Sequence, residues 1–461
     1  MELPLGDGSP PAATDIRQWL AQGEVLRARQ GIAALAVQAG DDARQLHEAA
    51  QLFMQIGDPA LADDLYRRAV ALDPACTAYR YNHATALIAL GRMAEAEAAL
   101  DHVIAVQPDD ADAWYNRATL RRQTRQRNHV AALRGRLRRP GLAPAQVAPL
   151  AYALAKELED LEHYDESFTA LLCGARARRA MLSYDIEDDE AMLRAIGDAF
   201  TREQVRAGAP GHGDARPVFV VGLPRSGTTL VERMLSSHAG IDSHGESMDF
   251  ALSLMQVAGP VRDKADLLAR STRLDPRRLG EAYARRLALH GGARVVDKTP
   301  GNFLYLGLIA RALPQARIIH VRRRPMDVCH AIFKTLFRMA YPYSYDLDDL
   351  ARYWLAFDAL MRHWQDVLPA GRMLTVDYES LVQAPADHVR AMLAHLEMPW
   401  DDACLHFERN PLPSLTASAA QVRRPVYTSS VGLWRHHVAN LAPLARRFRD
   451  AGVDIDTRDA A

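Results

Sequence analysis

The sequence of 461 residues predicts two domains of different architecture: an α-helical repeat solenoid over residues 15–205 and an α/β domain with a parallel sheet over residues 215–450. The first half is rich in Ala, Leu, Arg and Glu and repeats a helical pattern every 34 residues. The second half alternates short β-branched runs with helical periods, which is typical of parallel strands joined by crossover helices. A glycine-bounded loop with the spacing of a phosphate-binding loop follows the first of these runs.

The repeats are clearest over residues 43–76 and 77–110. Each unit carries alanine at positions 8 and 20, where small side chains let two helices approach, and a glycine turn between the helices, Gly57 or Gly91. A third unit begins at Ala111 and loses its pattern in an arginine-rich stretch, after which one further helical pair is predicted over about 146–200. The units resemble tetratricopeptide (TPR) repeats. That resemblance implies a groove for a peptide or protein partner, and the alternative is a solenoid that only supports the second domain or a homodimer.

Four apolar runs are predicted to be strands of the second domain: residues 217–221, 294–297, 316–321 and 372–377. In a parallel sheet of this kind, the loops that follow the carboxyl ends of the strands form the ligand site. Functional residues are therefore expected in the loop after the first strand, in Asp297-Lys-Thr-Pro300 after the second strand, and in the arginine-rich turn after the third.

The loop after the first strand, Gly222-Leu-Pro-Arg-Ser-Gly-Thr-Thr229, leads into an amphipathic helix that is predicted to begin near Leu230. Backbone N–H groups at such a helix start can bind a phosphate-like anion. A nucleotide-hydrolysing P-loop has lysine where this chain has Thr228, and here the positive charge comes from Arg225. Strand, loop and helix together resemble the 5′-phosphosulfate loop of sulfotransferases that use 3′-phosphoadenosine 5′-phosphosulfate (PAPS). The resemblance implies that this co-substrate binds to Arg225, Ser226, Gly227, Thr228 and Thr229.

Two further segments resemble the nucleotide site of the same family. The turn Arg322-Arg-Arg-Pro-Met-Asp327 resembles the 3′-phosphate site, although Ala331 stands where the family has serine. The segment from residue 416 to residue 434 resembles the nucleotide-covering loop of bacterial TPR-sulfotransferases and of tyrosylprotein sulfotransferases. These resemblances imply that PAPS also contacts Arg323, Arg424 and Tyr427.

Sulfuryl transfer needs cations that stabilise charge on the leaving oxygen and a base that accepts the proton of the acceptor hydroxyl. Lys298 matches the active-site lysine of the family, which implies the first role. In tyrosylprotein sulfotransferases a glutamate after the first loop helix is the base, and the resemblance of Ser243-His-Gly-Glu-Ser247 to that segment implies Glu246. His244 and His330 are the alternative bases.

Composition and charge argue against several other classes of protein. The formal net charge is −1, so neither a nucleic-acid nor a membrane-surface partner is expected for the chain as a whole. The four cysteines lie far apart without the spacing of a metal or redox site, and no Asp/Glu/His cluster predicts a metal. The first residues lack the features of a signal peptide and no apolar run is long enough to span a membrane, so a cytoplasmic location is expected.

The sequence therefore favours a PAPS-dependent sulfotransferase that sulfates an acceptor hydroxyl, with a protein or peptide tyrosine among the candidate acceptors. Two alternatives stay open. One is a P-loop kinase or NTPase, which Thr228 in the lysine position disfavours. The other is a TPR interaction protein whose degenerate nucleotide-binding domain serves only binding, which Ala331 and Ser247 favour.

Overall fold

The structure is a computed structural model that describes residues 11–206, 210–337, 340–414, 416 and 422–455. The described part of the first half is helical, with a single isolated β-bridge between Thr124 and Arg127. In chain order, helices α1 to α12 are Ala13–Gln22, Val25–Gln38, Ala43–Gln55, Pro59–Leu72, Thr77–Leu90, Met93–Val106, Ala111–Thr119, Val130–Leu137, Pro144–Asp160, Tyr164–Arg179, Ile186–Ala199 and Arg202–Arg206.

The two clearest repeats form as the sequence predicts. Helices α3 and α4 make the first unit, and α5 and α6 make the second. Gly57 and Gly91 both turn in the left-handed region, at φ 79° and 80°, which a residue without a Cβ adopts at no steric cost. The alanines at positions 8 and 20 of each unit are fully buried between the paired helices: Ala50, Ala62, Ala84 and Ala96.

The later helices depart from the repeat. Helix α7 ends at Thr119 and α8 begins only at Val130, so the third unit is interrupted in the arginine-rich stretch. The prediction of one helical pair over about 146–200 was wrong, because three helices, α9 to α11, occupy that range. Asp185 caps α11 by accepting a hydrogen bond from the Glu187 N–H, and this local turn does not follow from a 34-residue period.

The second half contains a five-stranded parallel sheet with the strand order β2-β3-β1-β4-β5. The strands β1 to β5 are Pro217–Val221, Ile241–Gly245, Arg294–Asp297, Arg317–Arg322 and Met373–Asp377. The sequence predicted four of them and missed β2, because Ile241-Asp-Ser-His-Gly is polar and lies at the sheet edge with only Ile241 buried. Residues 297–300 consequently follow the third strand of the chain rather than the second.

Helices cover both faces of the sheet. Helices α13 to α22 are Thr228–Leu235, Asp249–Ala258, Lys264–Ser271, Pro276–Arg286, Leu306–Ala312, Pro325–Phe333, Leu347–Val367, Tyr378–Gln383, Pro385–His395 and Ala442–Asp450. Four 3₁₀ segments, Pro300–Tyr305, Pro342–Tyr345, Asp402–Arg409 and Leu433–His437, complete the described structure. Because β1 and β4 are neighbours and the chain crosses from one side of the sheet to the other between β3 and β4, the carboxyl ends of β1 and β4 open a crevice.

The hydrophobic core crosses the predicted domain boundary. One face of the sheet, with Phe219 and Ile318, shares a single buried cluster with helices α9 to α11 of the first half. The Tyr152 hydroxyl on α9 donates a hydrogen bond of 3.1 Å to the Phe333 carbonyl in the second half. The boundaries at residues 205 and 215 stay predictions, but the helices before them share one core with the α/β domain, where α11 packs on α19.

The structure bears on two further features of the sequence, its apolar runs and its four cysteines. In the described ranges, none of the helices combines the length and the apolar character that crossing a bilayer requires. All four cysteines are free, with Cys329 and Cys404 buried and Cys173 exposed.

Candidate active site

The loop between β1 and α13 has an unusual backbone. Gly227 caps α13 with a left-handed φ of 106°, and a Cβ there would overlap the Tyr378 ring. Arg225 also has a positive φ, 66°, which costs a non-glycine residue conformational energy and is common at ligand-binding loops. Only glycine fits at residue 227, so the loop, the start of α13 and Tyr378 are fixed against one another.

A cleft with about 1020 Å³ of empty space opens beside this loop. Its walls come from the segments after β1, β4 and β5 and from the segment 422–433. The sequence-predicted residues that line it are Arg225, Gly227, Thr228, Thr229, Arg323, Arg424 and Tyr427. Ala331 also lines it, while residues 417–421 of the predicted covering segment lie outside the described residues.

Arg323 joins three walls of the cleft. Its Nη1 donates to the Arg225 carbonyl at 2.9 Å, and its Nη2 donates to the Ser430 carbonyl at 2.8 Å. The guanidinium lies 4.6 Å from the centre of the Tyr378 ring, whose hydroxyl is 2.8 Å from Ser430 Oγ. The Arg323 Nε is buried and has no hydrogen-bond partner among the described residues, so one donor of this group is left for a ligand.

The cleft is poised for an anion. Burial first, and then the nearby positive charge of Arg323, lower the pKa of Arg225. Burial also raises the pKa of Tyr427, which keeps that hydroxyl protonated and able to donate. Two guanidiniums that repel one another in a partly desolvated site are stabilised when a phosphate or sulfate group binds between them.

Ser226 is the one residue of the predicted phosphate loop set that is absent from the cleft lining, and its role stays a prediction. Its side chain is buried and its Oγ has no hydrogen-bond partner within the described structure. A Cβ on Gly222 would lie 2.8 Å from that oxygen, so the hydroxyl points beneath the loop, and Ser226 is absent from the cleft lining. The residue shapes the loop through its N–H, which donates to the Leu223 carbonyl.

Lys298 and Glu246 pair directly with one another. The Lys298 side chain is fully buried, and its Nζ donates to Glu246 Oε1 and lies 3.5 Å from Glu232 Oε2. Glu232 in turn accepts a hydrogen bond of 2.6 Å from Ser243 Oγ. Neither Lys298 nor Glu246 lines the described cleft, but Glu232 is on α13 and therefore holds the lysine against the helix that begins at the phosphate loop.

The two alternative bases are placed very differently. His244 is held on both sides, with Nε2 2.6 Å from Asp249 Oδ2 and Nδ1 2.9 Å from His290 Nε2. Burial opposes protonation of His244, but the Asp249 hydrogen bond and nearby carboxylates outweigh it and raise its pKa. His330 lines the cleft, and burial lowers its pKa well below the usual range. His244 is thus engaged in an internal network, whereas His330 is a neutral residue of the cleft wall.

Two residues of the site, Glu232 and Lys334, were not singled out from the sequence, whereas Asp327 and Tyr378 lie in segments that match the family pattern. Glu232 pairs with Lys298, Asp327 accepts the Gly432 N–H at 2.7 Å, Tyr378 packs on Gly227, and Lys334 lines the cleft. Each of the four follows a strand end within about twelve residues. Position after a strand was therefore the available signal, although it does not distinguish these side chains from their neighbours.

Family models match both halves of the chain. Residues 217–402 match the model described as "Sulfotransferase family", and residues 53–137 match the model described as "Tetratricopeptide repeat". A helical region that matches TPR repeats is therefore followed by an α/β domain that matches the sulfotransferase family, which confirms the resemblance that the repeat pattern and the loop motifs carry.

The curated proteins that this chain resembles are distant relatives. An uncharacterized protein of Aquifex aeolicus is 29% identical over 398 residues, which cover 83% of this chain and 52% of that protein. A protein-tyrosine sulfotransferase of Drosophila melanogaster is 25% identical over 235 residues, which cover 47% of this chain and 46% of that protein. The chain thus spans about half the length of these two relatives.

Solved structures of sulfotransferases are also similar. The sulfotransferase domain from the curacin biosynthetic pathway shares 14% identity with a TM-score of 0.36, and the match covers 54% of this chain and 100% of that chain. A mouse sulfotransferase complexed with PAP shares 15% identity with a TM-score of 0.34, over 55% of this chain and 92% of that chain.

Proposed function

We propose that this chain transfers a sulfuryl group from PAPS to an acceptor hydroxyl. The observation that carries the proposal is the pairing of Arg225 with Arg323 in a cleft at the start of α13, because a bisphosphorylated nucleotide would neutralise both cations. The match of residues 217–402 to the sulfotransferase family supports the same reaction class.

The cleft offers separate groups to the parts of PAPS. The backbone N–H groups around Gly227 and the Arg225 guanidinium would hold the 5′-phosphosulfate at the N-terminus of α13. The Arg323 Nε would bind the second phosphate, since it is buried and lacks a partner in the described ranges. Arg424 and Tyr427 also line the cleft and would contact the nucleoside.

The transfer itself exchanges one sulfur–oxygen bond for another. The acceptor oxygen attacks sulfur, the bond from sulfur to the phosphate oxygen breaks, and 3′,5′-adenosine bisphosphate (PAP) leaves with the negative charge. Glu246 accepts the acceptor proton, and the Lys298 ammonium stabilises the leaving oxygen. Their ion pair must open for these roles, and Glu232 keeps a carboxylate beside the lysine when Glu246 turns to the acceptor.

The arrangement of Asp297 disfavours a nucleotide hydrolase. This residue ends β3 beside β1, where a magnesium-binding carboxylate would be needed. Its Oδ1 accepts hydrogen bonds from Thr299 and Asn302, and its Oδ2 accepts one of 2.7 Å from Tyr283. Burial raises its pKa, so this carboxyl is used inside the fold and does not offer a free anion to a metal.

For the acceptor, we propose a tyrosine hydroxyl of a peptide or protein held by the TPR groove. Distant relatives that are named protein-tyrosine sulfotransferases support this acceptor class. A cytoplasmic location and a homodimer stay predictions from the sequence.

Ligand-dependent melting tests the proposal. PAP should raise the melting temperature while ATP with Mg²⁺ should not, because a ligand at one hundred times its Kd stabilises the native state by about 2.7 kcal/mol. Arg323→Ala should weaken PAP binding by about 10- to 100-fold through loss of charge-assisted hydrogen bonds. Arg322→Ala is the matched control, because Arg322 lies in the same turn but pairs with Asp377 outside the cleft. Equal responses to PAP and ATP, or equal losses in the two variants, would contradict the assignment.

A further inference from the structure

Three potential metal ligands from distant segments meet beside the nucleotide cleft. Glu159 lies near the end of α9 in the helical half, His330 is on α18, and His437 ends the 3₁₀ segment Leu433–His437. Each offers one ligand atom, and the three atoms all lie within 4.8 Å of one another. The two imidazole centres are 5.1 Å apart.

The two histidines are buried without the hydrogen bonds that buried nitrogens normally make. His330 is 2% exposed and His437 is 3% exposed. His330 Nε2 and His437 Nδ1 are buried and have no hydrogen-bond partner anywhere in the described part of the chain. Two unpartnered nitrogens beside a carboxylate mark a site that a cation would complete.

We propose that Glu159, His330 and His437 bind a divalent transition metal ion, with Zn²⁺ as the ion that suits two imidazoles and one carboxylate. Ligand atoms of a tetrahedral Zn²⁺ ion lie about 3.3 Å apart, so the three side chains close inward when the metal binds. Water takes the fourth position. The metal joins the helical half to the segment that leads from the cleft wall into α22.

The ion pair between Lys334 and Glu159 gives the proposal a test of its own. Its Nζ donates to both oxygens of Glu159 at 2.7 Å, so the ammonium occupies the carboxylate that the metal needs. Lys334 also lines the cleft and is partly exposed, which lets it leave Glu159 without becoming buried and unpaired. The metal and the ammonium therefore compete, and removal of the ammonium strengthens metal binding. If the Lys334–Glu159 ion pair serves only the fold, Lys334→Met should not strengthen metal binding. The variant would then only leave the Glu159 carboxylate unpaired.

Calorimetric titration of the full chain, freed of metal by chelator, with Zn²⁺ alone tests the site. We expect one equivalent to bind and Lys334→Met to bind about tenfold more tightly. His330→Ala and His437→Gln should lose more than the roughly 10- to 100-fold that an outer contact costs. His436→Ala is the matched control, because this neighbour is exposed and stacks on Tyr164 at 4.1 Å.

Substitution with Co²⁺ gives a readout that is independent of catalysis and of nucleotide binding. Two histidines and a carboxylate around Co²⁺ should give the visible absorption of a four-coordinate site, and His437→Gln should abolish it while thermal unfolding still shows a folded chain. Absence of Zn²⁺ binding in both the unaltered chain and Lys334→Met would overturn the proposal. An equal loss in His436→Ala would also overturn it, because the binding would then belong to surface histidines.

Discussion

The early repeats and the later helices of the first half pack against different parts of the molecule. Helices α3 to α6 bury their apolar faces against neighbouring helices, in clusters separate from the sheet. Helices α9 to α11 bury theirs in the same cluster as the sheet. This difference accounts for the repeat pattern: a 34-residue period persists where each unit packs on another unit, and it fades where the helices pack on the non-repeating helices of the second half, as α11 does on α19.

The two regions also touch the α/β domain through different chemistry. The contacts of the early helices with it include hydrogen bonds to backbone carbonyls: Arg286 donates to the Leu20 and Ala21 carbonyls of α1 at 3.1 and 2.8 Å. The Ser414 N–H likewise donates to the Ala89 carbonyl at 2.9 Å. The later helices contact it through buried aromatic rings such as Phe168 and Phe333, 6.0 Å apart. The contact of the early helices resembles an interface between docked domains, whereas the contact of the later helices resembles the core of one domain.

Removing one helical region or both should give the largest difference between the two regions. A chain that begins at Ala215 lacks α9 to α11 and exposes the apolar surface of α19 and its neighbours that they cover, so we expect aggregation and no cooperative melting. A chain that begins at Ala111 keeps that layer and should melt cooperatively with a shift in PAP. Sedimentation and thermal melting compare the two proteins. A monomeric, PAP-binding protein from the shorter chain would show that the later helices are not part of the core.

Substitutions of the two proposed catalytic residues should lower the rate of sulfuryl transfer without unfolding either helical region. Lys298→Ala should lower sulfate transfer from labelled PAPS by about 10²–10³-fold, and Glu246→Gln by about 10²–10⁴-fold, while PAP still binds. Glu246→Gln should also flatten the acidic limb of the pH–rate profile. Glu232→Gln is the control, since it removes the other carboxylate beside the same lysine without removing the base. A preserved acidic limb in Glu246→Gln would assign the base to another residue, with His330 next to be tested.

One core substitution in each region sharpens the contrast. Phe168 is 1% exposed in the core shared with the sheet, and Phe53 is 3% exposed in the core of the early repeats. Each change to alanine should cost about 3–5 kcal/mol of local stability through the cavity it leaves. Only Phe168→Ala should shift the urea midpoint at which PAP binding is lost. If Phe53→Ala shifts that midpoint equally, the two regions unfold as one unit.

The sequence predicted the fold where the pattern is local and repeated. The helix pairs over residues 43–110 and strand β1 follow directly from spacing and from apolar runs. Strand β2 was not predicted because it is polar and pairs on one edge only. The three helices over 144–199 were not predicted because their turns are not periodic. In the site, the loop motif pointed to Arg225 and the arginine-rich turn pointed to Arg323, but the Glu232–Lys298 contact and the His330–His437 cluster depend on side chains that only the folded chain brings together.

The smallest effect is expected at the two repeat turns, which form a matched pair. Gly57 and Gly91 have nearly equal positive φ, so alanine should cost each turn about 1 kcal/mol of strain. A Cβ at Gly57 meets nothing within 4 Å, whereas one at Gly91 would lie 2.9 Å from Arg423 Nε. Arg423 also donates to the Asn410 and Leu412 carbonyls and precedes Arg424, which lines the cleft.

Both variants should therefore lower the stability of the early repeats equally, while Gly91→Ala alone should disturb the cleft wall. We expect PAP binding to weaken by about two- to fivefold in Gly91→Ala, which corresponds to the lower end of the roughly 0.5–3 kcal/mol by which neighbouring groups are coupled. Calorimetric titration with PAP measures the difference, and Gly57→Ala supplies the strain without the contact. Equal PAP affinities would show that the early repeats rest against the covering segment without influencing it. An unequal result would make this polar contact a route by which a partner on the repeats alters nucleotide binding, since such coupling is reciprocal.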